Sequence, residues 1–598
     1  MASGDFILGI DLGTTNSLVG VVDSGFPILL ADAEGSRSTP SAVHYGRDGS
    51  VAVGSAALRQ RVLDPARTVT SVKRLIGRRE GEGDWRPPYD LRVLGTTAVE
   101  VSAAILKHLR TVAEMAMETT ITRAVITVPA FFNDAQRIAT KRAGELAGLI
   151  VERILAEPTA AALAYGLDKL GERKKIAVFD LGGGTFDVSI LEMRDGVFQV
   201  LATAGDTELG GDDIDRLLAQ HVWETSAQGQ SVWFEQLSAE VQVRLVTAAE
   251  AAKKKLSSEA TVRIELPFLW QGQSLEREIT RADLDKIAGP WAERTRQHCW
   301  RAMTDAKIKP EDLDEVLLVG GSTRMPLVRQ VAQDIFGREP NVSQSPDEAI
   351  ARGAVIHAGM LSGALQQVIL LDVTPLSLGI ETFGGLMNVI IPRNTTIPSK
   401  AGEMFTNAVA NQESMLVRVL QGERELAKDN WELGRVEVPF PAGPRGSARV
   451  GVQYSIDANG ILQVLARDTA MNHDVVLEIQ NTAVDVDDAK VEAMISESVE
   501  HAFDDMNERI WTEARLKAEE LLPAVDQALA QLGCEVDLAE AQRIQSSAAK
   551  VRLLLKADVH DARALKQANA ELDDATQSLA VLLMDKAMEE ALARKGLA

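Results

Sequence analysis

The sequence predicts a multidomain protein in which an α/β part is followed by a β part and then by a helical part. From residue 1 to about residue 365, β-branched apolar runs alternate with helical stretches, which indicates α/β layers. From residue 375 to about 481, apolar and polar positions alternate instead, and beyond about 485 Gly and Pro are almost absent. A chain of 598 residues is long enough to form all three parts.

Composition limits the partners and the compartment that we expect. A net charge of −23 disfavours nucleic acid and anionic membrane as partners, because both would repel the chain at long range. Cys299 and Cys534 are far apart in sequence, so neither a disulfide framework nor a cysteine-pair zinc site is supported. The chain shows no secretory leader pattern and no apolar run of ~18 residues. We therefore expect a protein of the reducing cytoplasm.

The α/β part contains three loops of one kind, each at the end of an apolar strand-like run. They are Asp11-Leu-Gly-Thr-Thr-Asn, Asp180-Leu-Gly-Gly-Gly-Thr and Gly320-Gly-Ser-Thr-Arg. Small residues let backbone N–H groups approach phosphate, and an aspartate supplies a hard oxygen for Mg²⁺ or its waters. One such loop is more often an ordinary turn, but three together predict a nucleotide site. The absence of any Gly-Lys dipeptide excludes a Walker P-loop, and no Gly-x-Gly-x-x-Gly lies at these loops.

Residues 368–372 separate the α/β part from the β part. They are apolar but bounded by polar residues, so a buried strand and an adhesive, apolar interdomain linker are equally compatible with them. In the β part, Met415, Val417 and Val419 share one face of a predicted strand. Residues 457–460 (Asp-Ala-Asn-Gly) predict the turn of a hairpin between two further strands.

The last part of the chain predicts a helical bundle. One helix face is marked by Val491, Met494, Ile495, Ser498, Val499, Ala502 and Met506. Asp537 with Glu540 predicts a helix N-terminus of the capping-box type, and Asp558 with Asp561 is a weaker pattern of the same kind. Taken alone, such a bundle could serve oligomerisation only.

The residues resemble the 70-kilodalton heat-shock chaperones of the DnaK type over essentially the whole chain. The resemblance rests on Gly9-Ile-Asp-Leu-Gly-Thr-Thr-Asn-Ser17, Val72-Lys-Arg-Leu-Ile-Gly77, Val128-Pro-Ala-Phe-Phe-Asn-Asp-Ala-Gln-Arg137, Glu157-Pro-Thr-Ala-Ala-Ala-Leu-Ala-Tyr165, Asp180-Leu-Gly-Gly-Gly-Thr-Phe-Asp187, Gly205-Asp-Thr-Glu-Leu-Gly-Gly211, Val319-Gly-Gly-Ser-Thr-Arg324 and Asp372-Val-Thr-Pro-Leu-Ser-Leu-Gly-Ile-Glu381. It implies an actin-like α/β two-lobed ATPase domain (1–365), an interdomain linker (366–374), an antiparallel β-sandwich that binds extended peptides (375–484) and an α-helical lid (485–598).

Within the family, some segments are most similar to HscA, a member that serves iron–sulfur cluster assembly. These segments are residues 271–272, 389–398, 421–426 and 584–586. This likeness implies an iron–sulfur scaffold protein as client, and the alternative is a general DnaK-like folding chaperone. In either case the resemblance implies client polypeptides and a J-domain cochaperone, HscB-like or DnaJ-like. The shortened region 258–280 suggests less need for a nucleotide-exchange factor.

The resemblance also implies roles for residues of the nucleotide site, with ATP or ADP, Mg²⁺ and K⁺ as cofactors. The residues implied to contact the phosphates are Thr14, Thr15, Asn16, Gly182, Gly183, Gly184 and Gly211. Those implied to contact adenosine are Glu250, Lys253, Lys254, Ser257, Gly320, Gly321, Ser322, Arg324 and Asp347. Asp11, Glu157, Asp180 and Asp187 are implied as metal-site residues. Catalysis is assigned to Asp11, Lys73, Glu157, Asp180 and Thr185. Without the motif, Lys73 would be interpreted as a solvated helix cation.

Two further sets of residues are implied outside the nucleotide site. The peptide-binding set is Leu378, Ile380, Thr382, Phe383, Phe405, Ala408, Met415 and Val417. The allosteric set is Pro129, Arg137, Arg153, Leu370, Leu371 and Asp372, with the J-domain expected near Arg153 and Asp372. Two positions depart from the family pattern: Leu18 replaces a cysteine beside the phosphate, and Ala410 replaces an acid that would latch the lid through Arg445.

An actin-like filament protein or a sugar kinase would also explain residues 1–365. Neither explains the β part and the helical part that follow. A peptide-binding scaffold without ATPase activity would lack Lys73, Glu157 or Thr185, and all three are present. The sequence therefore favours an ATP-dependent chaperone.

Overall fold

The computed structural model describes residues 6–77, 87–169, 171–226, 229, 232–365, 368–469, 473–478, 502–532, 536–557 and 560–594. Five positions of the first predicted lid face, Val491, Met494, Ile495, Ser498 and Val499, lie outside these residues. So do Cys534, Asp558 and the predicted boundary between residues 484 and 485.

The described part of the chain alternates strands and helices up to residue 361, then consists of strands, and ends in helices. Its strands are β1 (Ile7–Asp11), β2 (Asn16–Asp23), β3 (Phe26–Leu29), β4 (Thr39–Pro40), β5 (Ala42–Tyr45), β6 (Val51–Val53), β7 (Thr68–Thr70), β8 (Arg123–Val128), β9 (Ile150–Ala156), β10 (Lys174–Leu181), β11 (Phe186–Arg194), β12 (Val197–Asp206), β13 (Thr261–Trp270), β14 (Gln273–Thr280), β15 (Glu315–Val319), β16 (Ile369–Val373), β17 (Leu378–Thr382), β18 (Leu386–Ile391), β19 (Thr396–Ile397), β20 (Ser399–Phe405), β21 (Ser414–Gln421), β22 (Trp431–Pro439), β23 (Val450–Ile456), β24 (Leu462–Asp468) and β25 (His473–Glu478).

The helices follow the same order along the chain. The α-helices are α1 (Ser55–Gln60), α2 (Leu91–Leu94), α3 (Ala98–Met117), α4 (Asp134–Leu146), α5 (Glu157–Gly166), α6 (Gly211–Glu224), α7 (Ala239–Leu256), α8 (Arg281–Asp305), α9 (Pro326–Phe336), α10 (Ala349–Leu361), α11 (Ala502–Leu532), α12 (Leu538–Leu555), α13 (Ala562–Ala575) and α14 (Gln577–Arg594). Short 3-10 helices are Pro65–Arg67, Val72–Arg74, Leu167–Lys169, Phe234–Gln236, Pro310–Asp312, Gly321–Arg324 and Ala427–Asp429.

The chain divides into two compact units. The first comprises Met1–Leu378, Ile390–Val417 and Glu432–Glu492, and the second comprises Gly379–Val389, Arg418–Trp431 and Ala493–Ala598. Two four-stranded sheets form the β part, in the orders β18-β17-β21-β22 and β20-β23-β24-β25.

The α/β part of the first unit contains two large sheets, each with its own apolar core. The first sheet has the order β3-β2-β1-β8-β9, with β4 paired to β2, and its core includes Leu8, Val72 and Ile126. The second sheet has the order β15-β10-β11-β12-β16-β19, and its core includes Phe179 and Ile214. We call these two bodies lobe I and lobe II.

Helices α5 and α10 cross at a contact that only glycine permits. A Cβ atom added to Gly353 of α10 would lie 1.9 Å from the carbonyl oxygen of Ala160 in α5. Real Cβ atoms do not approach backbone this closely, so the missing side chain sets the distance between the two helices. Around them lies a third apolar cluster, which includes Ile7 of β1 and Ile176 of β10. The two nucleotide-loop strands are therefore supported by one shared core.

Residues 369–373 form a strand, as one of the two sequence interpretations of this segment expects. β16 pairs in parallel with β12, with Ile369 opposite Val197, Leu370 opposite Phe198 and Leu371 opposite Gln199. Its last residues pair antiparallel with β19. Leu370 and Leu371 are half-buried, and Ile369 is exposed. The segment is thus a strand with only partial burial rather than a deeply buried one.

The β part confirms the predicted alternation and the predicted hairpin. Val417 and Val419 are buried and Met415 is half-buried, whereas Leu416 between them is exposed. β23 and β24 pair antiparallel across the turn at residues 457–460, where Gly460 has a φ of +79°. This positive φ is the reason for a glycine at the end of the turn.

In the second unit, helices α11 to α14 pack around an apolar core that includes Trp511, Ile544, Leu565 and Leu572. Asp537 caps α12, since its carboxylate accepts from the Ala539 N–H at 3.1 Å. Glu540 does not complete a capping box, because its carboxylate accepts from the Ser578 hydroxyl. α13 is capped by Asp561, which accepts from the Ala564 N–H at 2.9 Å. No helix among the described residues is long and apolar enough to span a membrane.

Candidate functional site

A cavity of about 690 Å³ lies between lobe I and lobe II. It is lined by Asp11, Gly13, Thr14, Thr15, Asn16, Leu18, Arg37, Ser38, Lys73, Glu157, Asp180, Gly182, Gly183, Thr185, Asp212, Glu250, Lys253, Lys254, Ser257, Gly320, Gly321, Ser322, Arg324, Met325, Ser345, Pro346, Asp347, Glu348 and Ile350. All three predicted loops therefore meet at one cavity. Its volume falls within the range of small-molecule and cofactor sites.

The first two loops approach each other across the cavity. Asp11 is the last residue of β1, and Asp180 lies near the end of β10. The hydroxyl of Thr15 donates to the Asp212 carboxylate at 3.4 Å, and the Asp212 N–H donates to the Gly183 carbonyl at 2.7 Å. Asp212, which follows Gly210 and Gly211 in lobe II, therefore connects the first loop to the second.

Three buried carboxylates, those of Asp11, Glu157 and Asp180, line the cavity. Burial and the nearby Glu157 raise the pKa of Asp11 to about 7, although Lys73 opposes the shift. Burial, Glu157, Asp187 and Asp11 raise the pKa of Asp180 well above its usual value. Within the described residues, Asp180 Oδ2 is buried and has no hydrogen-bond partner. The crowded carboxylates fit a site for a cation.

The described side chains do not form a direct metal cage. No group of three His, Cys, Asp or Glu residues in this part of the chain has the geometry to ligate one ion. Magnesium usually keeps several of its waters in proteins, so a carboxylate-lined cavity suits a hydrated ion. The residues therefore fit a hydrated Mg²⁺ rather than one held by protein oxygens alone.

Three residues predicted for the site do not line the cavity. The Asp187 carboxylate is buried and accepts from the Phe131 N–H at 3.0 Å, and burial raises its pKa to about 8. The Gly184 carbonyl accepts from Arg74 at 3.1 Å, and the Gly211 carbonyl accepts from Lys253 at 2.9 Å. These residues support the walls of the cavity instead.

Lys73 is buried and ion-paired, which excludes its interpretation as a solvated helix cation. It lies in the 3-10 helix Val72–Arg74, and only 5% of its side chain is exposed. Its ammonium group donates to the carboxylate of Glu157, the first residue of α5. Because both groups line the cavity, a positive charge from lobe I is held beside it.

Helix α7 contributes a further wall of the cavity. The Lys253 ammonium group is buried and donates to the Asp215 carboxylate at 2.9 Å, while Lys254 donates to Glu250 at 2.7 Å. Burial raises the pKa of Asp215 to about 7 even though Lys253 opposes the shift. Lys255 is exposed, as expected of a solvated charge. The predicted helix face, with Glu250, Lys253 and Ser257, does line the cavity.

The third loop closes the same wall. The Ser322 hydroxyl donates to the Gly182 carbonyl at 2.8 Å, and Arg324 pairs with Asp347. Gly320 has a φ of +83°, and a Cβ atom there would lie 2.3 Å from the Leu181 carbonyl oxygen. The glycine is therefore required both by its backbone conformation and by its neighbour.

Sequence reasoning missed several lining residues. These are Arg37, Ser38, Asp212, Met325, Ser345, Pro346, Glu348 and Ile350. Asp212 directly follows the motif Gly205–Gly211, so its proximity to the site could have been expected. Arg37 and Glu348 form an ion pair with 3.5 Å between nitrogen and oxygen. Met325 follows the predicted Arg324, and Ser345, Pro346 and Glu348 flank the predicted Asp347, so these positions also adjoin predicted residues. Arg37 and Ser38 lack such a signal, because the fold alone brings residues near 37 and near 348 together.

The predicted peptide-binding residues occur in both units. In the first unit, Leu378 and Val417 are buried, whereas Phe405, Ala408 and Met415 are half-buried. In the second unit, Ile380 is buried, Thr382 is half-buried and Phe383 has 64% of its surface exposed. The Thr382 hydroxyl donates to the Leu386 carbonyl at 3.1 Å.

The predicted allosteric residues of lobe I lie next to the β23–β24 hairpin. Arg137 donates to the carbonyls of Phe132, Ala130 and Asn459 at 3.0, 3.1 and 3.3 Å. The N–H of Ile154, the residue after Arg153, donates to Asn459 Oδ1 at 3.1 Å.

Asp372 and Pro129 complete the predicted allosteric set together with the two leucines of β16. Burial raises the pKa of Asp372, and the nearby charges of Arg137 and Arg153 oppose the shift. Pro129 is buried, and its carbonyl accepts from the Phe132 N–H. Arg137, Arg153 and Asp372 therefore act on one another electrostatically.

Comparison with known proteins identifies the family. The family model described as Hsp70 protein matches residues 7–585. The chain belongs to the Hsp70 family. A chaperone protein DnaK of Trichormus variabilis and a chaperone protein dnaK1 of a Nostoc species are each 44% identical over 599 aligned residues. Each alignment covers 96% of this chain and 86% of the relative.

Membership of the Hsp70 family confirms the predicted fold class, a two-lobed ATPase domain followed by a β-sandwich and a helical lid. It also implies nucleotide binding with Mg²⁺ and an ATPase of the chaperone type. The likeness to HscA finds no support in these relatives, whose names are those of DnaK chaperones. The DnaK-like alternative is the better supported of the two.

Proposed function

We propose that this Hsp70 protein is a general folding chaperone that binds and releases extended apolar segments of client proteins in an ATP-dependent cycle. The main support for the proposal is that the three small-residue loops, three carboxylates and the buried Lys73 meet at one cavity. The DnaK names of its relatives support a general range of clients.

In the proposed reaction, Thr14, Thr15, Gly182 and Gly183 receive the phosphates of ATP, and Lys73 with Thr185 orients the attacking water. Bound Mg²⁺ would neutralise phosphate charge, held through its waters by Asp11, Glu157 and Asp180. The pairing with Glu157 holds the Lys73 ammonium group in place before ATP binds, so its charge needs little reorganisation during the reaction. A K⁺ ion near Asp11, Asp180 and Asp187 belongs to the same proposal.

Adenosine binding is assigned to the wall formed by α7 and the third loop. Helix α7 supplies Glu250, Lys253, Lys254 and its C-cap Ser257 to this wall, and Arg324 of the third loop lies there with Asp347. The ion pairs of Lys254 with Glu250 and of Arg324 with Asp347 fix the side chains that would contact the base and the ribose.

We further propose that the state of the nucleotide is transmitted through Arg137 and β16. Arg137 contacts the β23–β24 hairpin, and β16 extends the sheet of lobe II. ATP would favour these contacts and fast exchange of peptide, and hydrolysis would release them.

The division into residues 1–365, 366–374, 375–484 and 485–598 is part of this proposal. The proposal also includes the peptide-binding residues, a J-domain partner near Arg153 and Asp372, and location in the cytoplasm.

The Thr185→Ala change tests the reaction. Thr185 lines the cavity and is nearly buried, so its hydroxyl can meet the terminal phosphate without being needed for the fold. We expect ADP affinity to stay within about threefold and single-turnover hydrolysis to fall by about 100-fold. Thr185→Ser, which keeps the hydroxyl, is the matched control. Unchanged hydrolysis in Thr185→Ala would contradict the assignment.

A peptide comparison separates the general chaperone from the iron–sulfur specialist. Stimulation of ATP hydrolysis is measured with the peptide Leu-Pro-Pro-Val-Lys and with a generic apolar peptide of equal length. Equal stimulation supports the general chaperone. Stimulation by the Leu-Pro-Pro-Val-Lys peptide alone would support a specialist that serves an iron–sulfur scaffold.

A further inference from the structure

Two residues of lobe I reach across the cleft to two acidic residues of lobe II. Arg74 Nη1 and Nη2 donate to the two carboxylate oxygens of Asp213 at 2.9 and 2.6 Å. Ser71 Oγ donates to Asp212 Oδ2 at 2.6 Å. Val72, which lies between the two donors, belongs to the core of lobe I, and Ile214, which follows the two acids, belongs to the core of lobe II.

The Arg74 contact is of the strongest type available to side chains. Its side chain is 1% exposed, and the bond to Asp213 is bidentate and charge-assisted. A third donor, Arg74 Nε, binds the carbonyl of Gly184 at 3.1 Å. One guanidinium group therefore holds both an acid of α6 and the last glycine of the second phosphate loop.

The Ser71 contact involves an unusual backbone conformation. Ser71 has a φ of +54°, in the left-handed region that non-glycine residues rarely occupy. The cost of this conformation is of order 1–3 kcal/mol, so it persists only where surrounding contacts require it. Here it allows the hydroxyl to face Asp212, which itself lines the nucleotide cavity.

The start of α6, which contains Asp212 and Asp213, is hydrogen-bonded to the second phosphate loop. The N–H groups of Gly211 and Asp212 donate to the carbonyls of Gly182 and Gly183 at 3.0 and 2.7 Å. Asp213 accepts from the Gly210 N–H at 2.8 Å, which fixes the start of α6. Movement of the acids would therefore move the loop.

We propose that Ser71, Arg74, Asp212 and Asp213 form an interlobe latch, and that Arg74 is a positioning residue that acts through Gly184 to hold Gly182 and Gly183 where they receive the phosphates of the nucleotide. The inference rests on the proposed function, because it assumes that this loop binds phosphate. None of the four residues is in the set implied by the family resemblance to bind nucleotide or metal, and three of them, Ser71, Arg74 and Asp213, do not line the cavity.

The Arg74→Lys change tests the latch in the full-length protein. Lysine keeps the charge but loses the bidentate bond and the bond to Gly184. We expect ADP release to become about tenfold faster and single-turnover ATP hydrolysis about tenfold slower. Adenosine affinity, measured by calorimetry, should stay within about twofold, because adenosine lacks the phosphates that this loop is proposed to receive. Arg47→Lys, at an exposed arginine of lobe I, is the matched control.

A second variant and a double variant complete the experiment. Ser71→Ala removes one neutral donor and should raise the ADP release rate by about threefold. Adding Asp213→Asn to Arg74→Lys should change the release rate by less than about twofold, since the two residues act as one unit.

Equal losses of ADP and adenosine affinity in Arg74→Lys would overturn the proposal and assign Arg74 a general structural role. Unchanged ADP release in that variant would also overturn it. Failure of the parent protein to hydrolyse ATP would instead refute the proposed function.

Discussion

The backbone N–H of Leu462 donates a 2.7 Å hydrogen bond to the buried carboxylate of Asp134, which lies 328 residues earlier in the chain. This bond joins the β23–β24 hairpin to the first residue of α4. Among the described residues, the second oxygen of Asp134 is buried without a partner. The hairpin therefore docks on a carboxylate of which, within the described residues, only one oxygen has a hydrogen-bond partner.

Docking of this hairpin should strengthen as pH falls from 8 to 6. Burial raises the pKa of Asp134 to about 7, with Leu462 and Arg137 opposing and Asp457 adding to the shift. A carboxyl with a higher pKa in the docked state binds its proton more tightly there, so protonation favours docking. The docking constant should rise by about tenfold over this range if the undocked pKa is ordinary.

Hydrogen exchange at the Leu462 and Ile154 N–H groups measures the docking, after correction for intrinsic exchange rates. Asp134→Asn should remove the pH dependence, and Asp23→Asn, at an exposed position, should leave it unchanged. The same pH dependence in Asp134→Asn would assign the effect to another group.

Lys73→Met should abolish most ATP hydrolysis while ADP binding persists. The change removes the buried positive charge beside the cavity and leaves Glu157 without its cation. Loss of one preorganised charge of this kind costs about 100-fold or more in rate. Single-turnover hydrolysis and ADP calorimetry provide the measurement, with Lys255→Met on the exposed face of α7 as control. Hydrolysis at the parental rate would exclude Lys73 from the reaction.

Gly320→Ala should lower both stability and ADP affinity. The new Cβ atom would lie 2.3 Å from the Leu181 carbonyl oxygen at a φ of +83°, so backbone at the cavity wall must shift. We expect a loss of about 2–4 kcal/mol in the free energy of unfolding. Gly25→Ala is a matched control, because φ is also +83° and no heavy atom of the described residues lies within 4 Å of the new Cβ. Denaturant unfolding and ADP titration provide the measurement. The loss of stability that Gly25→Ala shows reports the backbone strain shared by both variants, and the additional loss in Gly320→Ala reports the clash.

Asn569→Ala should loosen the helical bundle of the second unit. Asn569 of α13 is buried and donates to the Ala514 carbonyl of α11 at 2.6 Å. Loss of this buried bond should cost about 1–3 kcal/mol, because it joins two helices of one core. Hydrogen exchange of the α11 and α13 amides is the measurement. Gln567→Ala, at an exposed position of α13, should leave these exchange rates unchanged. Equal protection in both variants would show that the bond contributes little.

Local patterns predicted those features whose cause is local. The glycine loops at 11–16, 180–185 and 320–324, the hairpin turn at 457–460 and the Asp537 cap all depend on residues that are close in sequence. The family motif, rather than any pattern, indicated that Lys73 is buried.

The remaining features depend on distant pairings. Ser71 with Asp212 and Arg74 with Asp213 lie 141 and 139 residues apart, and no periodicity connects them. Residues 368–372 were equally compatible with a strand and a linker, because the pairing with β12 that decides between them is made by another part of the chain.

The position of β16 has a consequence for fragments of this protein. In the sheet of lobe II, β12 has β11 on one side and β16 on the other. A chain cut after residue 365 would lose β16 and leave the N–H and C=O groups of β12 at residues 197–199 without their neighbour. Open strand edges pair readily with other chains. The isolated ATPase lobes should therefore self-associate more readily than a fragment that extends through residue 373. The eight additional residues, 366–373, would prevent aggregation because β16, which lies within them, covers the edge of β12.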